Sequence, residues 1–144
     1  MFFAKFATAT LLAVSANAAV TVSLKNSFGK CLDIPYDGQE QGQALQVYDC
    51  NGGDSQQWTI GDGTTFRVTS SSGLCLDTRG NGAGETPADL WECNNSAGQL
   101  WHWAGHSLVN SYDYCLDTRG NTGDSGAPVD LWECNGTGGQ GWYY

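Results

Sequence analysis

Hydrophobic positions along this chain come in short bursts. Residues 20–24 alternate, with Val22 and Leu24 set against Thr21 and Ser23, the two-residue period of a half-buried strand. Brief apolar or alternating runs follow at residues 30–34, 44–48, 57–60, 65–68, 74–76, 89–91, 114–116 and 129–132, bounded by Gly, Asn or Asp. The dipeptides Asn51-Gly52, Asp62-Gly63, Asn81-Gly82 and Asn135-Gly136 supply the positive-φ positions that tight turns require. With 20 glycines and hardly any run of helix formers, no long helix is expected.

The bursts are periodic. Cys31–Trp58, Cys75–Trp101 and Cys115–Trp142 read as three copies of one unit, the last two opening on Cys-Leu-Asp-Thr-Arg-Gly-Asn. Successive Cys-Leu-Asp starts lie 44 and 40 residues apart, a period that signals a repeat architecture. Each copy carries a Gly-rich connection, an apolar–aromatic–acidic–Cys run, and Gln-x-Trp. The repeats span approximately 21–61, 62–103 and 104–144. Roughly four strands each give about twelve, and a chain this small buries their apolar faces by closing around a threefold axis.

Residues 1–18 stand outside this pattern. Lys5, an apolar stretch with threonines, and Ala16-Asn17-Ala18 describe a secretory signal peptide, too short for a membrane span. Residues 19–144 are expected to form a single domain. Six cysteines, two per repeat, fit an oxidising compartment, and the repeat argues for Cys31–Cys50, Cys75–Cys93 and Cys115–Cys134. Closing loops of this size contributes about 3 kcal/mol each in the chain-entropy account. The spacing lacks the CxxC of a zinc site.

All 15 acidic residues lie beyond residue 18, against five basic ones, a net charge near −10 there. That surface repels phosphate backbones and anionic headgroups, so neither nucleic acid nor membrane insertion is expected. Neutral ligands are unaffected.

Trp58, Trp101 and Trp142 close the three units, and Leu32, Leu76 and Leu116 follow the first cysteines: a core repeated three times. Each buried Trp needs an acceptor for its indole N–H. Asp33, Asp77 and Asp117 share one position of the repeat, and Tyr48, Trp91 and Trp132 another. A sugar offers an apolar C–H face and a rim of hydroxyls, which an aromatic platform and a rigid carboxylate match. Cys-Leu-Asp, Leu-Trp-Glu-Cys-Asn and Gln-x-Trp, in phase three times over, resemble the ricin-type lectin domain. The resemblance covers residues 19–144 and implies an all-β β-trefoil with a six-stranded barrel, three capping hairpins, one disulfide per repeat and up to three shallow sugar pockets. It implies that the Asp receives two sugar hydroxyls, the aromatic stacks on the ring, and Gln56, Gln99 and Gln140 orient the Asp. Galactose or N-acetylgalactosamine is the common ligand of such domains, and some members bind xylan or other glycans.

Two departures bear on that transfer. The Asn that precedes the Gln of Gln-x-Trp in galactose-binding members is here Ser55, Gly98 and Gly139, and the two glycines remove a side-chain hydrogen bond worth about 1 kcal/mol from repeats two and three. Gln46 matches the amide found two residues before the aromatic, but Asp89 and Asp130 replace it elsewhere, doubling the carboxylates. Arg79 and Arg119, two residues after their pocket Asp, are placed to neutralise them. No metal or other cofactor is expected. Asn94-Asn95-Ser96 and Asn135-Gly136-Thr137 are N-glycosylation acceptors. No cleft with opposed carboxylates and no Ser or Cys positioned as a nucleophile for His102 or His106 suggests catalysis. Two functions compete: a secreted, monomeric lectin for glycans or glycoproteins, and a secreted β-trefoil scaffold such as a protease inhibitor that binds protein through loops 36–43 or 102–112.

Overall fold

The computed structural model describes residues 19–80 and 84–144. The signal-peptide reading of residues 1–18 and the Asn81-Gly82 turn lie outside them. Among the described residues thirteen strands follow one another: β1 (Val20–Val22), β2 (Lys25–Asn26), β3 (Cys31–Asp33), β4 (Gln46–Tyr48), β5 (Trp58–Ile60), β6 (Val68–Ser70), β7 (Cys75–Thr78), β8 (Thr86–Trp91), β9 (Trp101–Ala104), β10 (Ser107–Asn110), β11 (Tyr114–Thr118), β12 (Val129–Glu133) and β13 (Trp142–Tyr143). One-turn 3-10 helices at Asp54–Gln56, Ala97–Gln99 and Gly138–Gln140 lead into the three Gln-x-Trp strands.

The strands sort into a barrel and a cap. β1 pairs with β5 and β5 with β6. Phe66, just before β6, bridges to Trp101 of β9, and β9 pairs with β10. The Trp142 N–H donates to the His106 carbonyl at 2.8 Å, and β13 pairs with β2, which closes the ring. β1 and β2 together make one barrel strand, broken where the chain passes from β5 to β13 as partner, so the barrel has six. The hairpins β3–β4, β7–β8 and β11–β12 form the cap. They join around the axis through Ala44–Asp89, Gln46–Pro128 and Asp130–Pro87 pairings. The architecture is a β-trefoil, with twelve strands once the broken one is counted as a unit.

The core repeats with the sequence. Leu24, Val68 and Leu108 from the barrel, Leu32, Leu76 and Leu116 from the first cap strands, and Val47, Leu90 and Leu131 from the second are all fully buried. The three tryptophans sit among them, and each indole N–H donates to the carbonyl of a core leucine: Trp58 to Leu32 at 3.0 Å, Trp101 to Leu76 at 3.1 Å, and Trp142 to Leu116 at 2.8 Å. Three disulfides join the cysteines within each repeat, as the repeat predicts.

Local details differ from the sequence reading. The strand expected at 65–68 runs Val68–Ser70, because Phe66 serves the bridge to Trp101. The region around His102 and His106, expected as part of a loop at 102–112, is the β9–β10 hairpin, turning at Gly105 with φ 61°. His106 packs on Tyr143 with ring centres 4.3 Å apart, and Trp103 lies between Phe66 and Tyr144.

Candidate functional site

The cap hairpins fix the register on which the candidate pockets depend. Cys31 pairs across the ladder with Tyr48, Cys75 with Trp91 and Cys115 with Trp132. Two residues on, Asp33 faces Gln46, Asp77 faces Asp89 and Asp117 faces Asp130. Alternate residues of a strand share a face, so each carboxylate shares a face with its aromatic platform. The disulfide runs from the first strand's Cys to the residue two beyond the aromatic. Tyr48, Trp91 and Trp132 are 43%, 39% and 37% exposed, unlike the core tryptophans.

Three clefts open at these places. Site one, about 690 Å³, is lined by Asp33, Tyr36, Gln46, Tyr48, Asn51 and Ser55 among others. Site two, about 510 Å³, has Asp77, Arg79, Asp89, Trp91, Asn94 and Tyr112. Site three, about 280 Å³, has Glu85, Asp117, Arg119, Asp130, Trp132 and Asn135. Each is completed by another repeat: Gly126 at site one, Tyr112 at site two and Glu85 at site three.

The carboxylates are held in two ways. At site one, Gln46 Nε2 donates to Asp33 Oδ2 at 2.7 Å and Gln56 Nε2 to Asp33 Oδ1 at 3.1 Å, so both oxygens are oriented by neutral amides. At sites two and three the amide is replaced by a carboxylate, and arginine answers it. Arg79 Nε donates to Asp89 Oδ2 at 3.0 Å and Arg119 Nε to Asp130 Oδ2 at 2.8 Å, the pairing that the spacing predicts. Asp89 Oδ1 and Asp130 Oδ1 are buried without a partner. Burial raises the Asp77 carboxyl, and it raises Asp89 and Asp130 against the opposing pull of their arginines. Asp117 is pushed up to about 6, by burial first and then by the charge of Asp130.

Two sets of the candidate site residues are almost wholly buried. Gln56, Gln99 and Gln140 are fully buried, and each ties the chain after the second cysteine. Gln99 Oε1 accepts from Asn94 N–H and its Nε2 donates to the Glu92 carbonyl, both at 2.8 Å, and the other two repeat the arrangement. Gln56 also orients Asp33, as expected. Asp89 and Asp130, each 2% exposed, line sites two and three at their base, across the ladder from Asp77 and Asp117.

The position expected to hold Asn has a physical account. A Cβ at Gly98 would lie 3.0 Å from Asp77 Oδ1, and one at Gly139 only 2.9 Å from the Thr118 carbonyl, so an Asn does not fit without movement. The residue after the second cysteine, Asn51, Asn94 and Asn135, brings an amide to each cleft instead. Their Oδ1 atoms cap the N–H groups of Gly53, Ser96 and Thr137. The Cys-Asn step printed three times was the available signal for them.

The model of the ricin-type β-trefoil lectin domain matches residues 20–142, and the chain belongs to that family. Over 93 residues it is 31% identical to the beta-galactoside-specific lectin 2 of Viscum album, a match covering 62% of this chain and 16% of that much longer protein. The fold is similar to that of ThreeFoil, a designed threefold-symmetric protein, with TM-score 0.80, 23% identity and coverage of 85% of this chain and 95% of that one. It is also similar to a ricin B-like lectin of Macrolepiota procera solved with lactose, with TM-score 0.72, 23% identity and coverage of 90% and 96%.

Proposed function

We propose that this protein is a secreted lectin that binds neutral glycans, of galactose/N-acetylgalactosamine or xylan type, through up to three Asp-plus-aromatic pockets and without catalysis. The observation that carries the reading is the threefold recurrence of an exposed aromatic ring beside a rigidly held carboxylate. A fold needs a buried aromatic at that register, not one left over a third exposed beside an acceptor. The galactoside specificity of the Viscum relative and the lactose on the Macrolepiota lectin favour galactose-type ligands. The two loops that a protein-binding scaffold would use both give side chains to the clefts: Tyr36 to site one and Tyr112 to site two. That favours the lectin over the inhibitor.

A glycan array on the disulfide-intact protein tests this, beside Asp33→Ala/Asp77→Ala/Asp117→Ala checked for folding by circular dichroism. Wild type is expected to bind galactose-terminated or xylan-like glycans and the triple variant to lose that binding. A folded wild type that binds none of them sinks the reading.

A further inference from the structure

Left-handed backbone positions recur from repeat to repeat. Gly29, Gly73 and Asp113 match one another, as do Gly42, Glu85 and Gly126, and Gly52, Asn95 and Gly136. One set departs in kind. Where repeats two and three place Gly80 (φ 68°) and Gly120 (φ 80°), repeat one places Tyr36 at φ 57°. Among the described residues it is the one aromatic with positive φ; the others that are not glycine are Asp, Glu or Asn. A bulky side chain is costly in this region.

The loop is built to hold it. Pro35 fixes the backbone before it. Gly38 N–H donates to the Pro35 carbonyl at 3.0 Å, Gln39 N–H to the Asp37 carbonyl at 2.9 Å, and the Ser55 hydroxyl donates to the Asp37 carboxylate. The ring returns nothing to the fold, since Tyr36 is fully exposed. A residue that costs backbone energy and contributes no packing has its reason outside the fold.

Its place names that reason. Tyr36 is on the wall of site one with Asp33 and Tyr48, and Gly80 and Gly120 line the other two clefts at the same position. Site two receives a second aromatic, Tyr112, from the turn before β11. The matching residue before β7 is Ser72, so site one gains a second ring only through Tyr36.

We propose that Tyr36 is a second stacking platform, so that site one takes a neutral oligosaccharide. One sugar unit sits in the Asp33–Tyr48 pocket and the next lies against the Tyr36 ring. This rests on the lectin reading above.

The test is calorimetry in a parent whose other sites are disabled by Trp91→Ala and Trp132→Ala, with galactose against lactose and xylose against xylotriose. In the parent, the better pair is expected to show the oligosaccharide bound about tenfold tighter than its monosaccharide, the return of one stacking contact. Tyr36→Gly brings that ratio close to one and Tyr36→Phe preserves it. Tyr36→Gly also raises the melting temperature by about 2–4 °C through relief at the left-handed position, which separates lost binding from lost folding. A ratio near one in the parent, or one that Tyr36→Gly leaves unchanged, overturns the proposal. So does a parent that binds none of the four sugars. Wild type binding on the glycan array then leaves the lectin reading standing, and its failure there removes both.

Discussion

Asp33 and Asp117 occupy the same position of the repeat, yet their neighbours treat the carboxylate differently. Two amides donate to Asp33, whereas Asp117 faces Asp130 across the ladder and sits with its carboxyl pushed up to about 6. The consequence has opposite signs for folding and for binding. A carboxyl raised in the folded state contributes stability that is complete below its unfolded value near 3.8 and is lost as pH rises through about 6. Sugar hydroxyls need the ionised acceptor, so the third site weakens as pH falls through the same range. In a variant keeping only that site (Asp33→Ala, Asp77→Ala), calorimetry between about pH 7.5 and 5 should show affinity falling about tenfold per unit once below the titration. Asp130→Gln, which copies the amide of repeat one, should move the fall to lower pH. A flat profile would refute the assignment of Asp117 as the hydroxyl acceptor.

Between elements, the repeats are tied by buried amides. Asn110, at the end of β10, accepts from the Tyr112 and Tyr114 N–H groups at 3.0 Å and donates to Thr78 Oγ1 at 2.9 Å in the preceding repeat. Asn26 does the same toward Thr118, while at the third junction the equivalents are Ser70 and Ile34, where no such bond is possible. Asn110→Ala strands two N–H groups and takes one donor from a hydroxyl that keeps its bond to the Gly98 carbonyl, and should cost about 2–3 kcal/mol in denaturant unfolding; Ser70→Ala should cost well under half as much. These ties were not read from the sequence, because a buried Asn and an exposed turn Asn are the same letter. The same limit hid the β9–β10 hairpin, whose first strand, Trp101–Ala104, starts on the Trp of Gln-x-Trp and carries no further landmark. It also hid Tyr36, since a Tyr printed after Pro gives no hint of a left-handed backbone. What periodicity could carry, it carried. The phase of Cys-Leu-Asp and Gln-x-Trp gave the threefold closure, the disulfides and the Asp–aromatic register, because in a ladder with period two those spacings leave little choice of face.

Taken as one molecule, the three clefts differ in a way that bears on valency. Asn94 and Asn135 head glycosylation sequons and line sites two and three, whereas Asn51-Gly52-Gly53 at site one is no sequon. Their Oδ1 atoms serve the backbone, which leaves Nδ2 as the atom a glycan would take. An attached glycan therefore stands in the mouth of its own pocket, and a fully glycosylated molecule keeps one open site. Single shallow sugar sites bind weakly, so retention on a clustered glycan depends on how many engage at once. Protein from a glycosylating host, with occupancy read by mass, should wash off a surface of densely coupled lactose as a monovalent binder does. Ser96→Ala/Thr137→Ala, which removes both sequons without touching either asparagine, should be retained about 100-fold more strongly. The affinity of site one for free ligand supplies the control, because no sequon lies in its wall and its value should be the same in both proteins. Equal retention of the glycosylated and bare forms would mean that sites two and three do not contribute to capture, and that this lectin works through its first repeat alone.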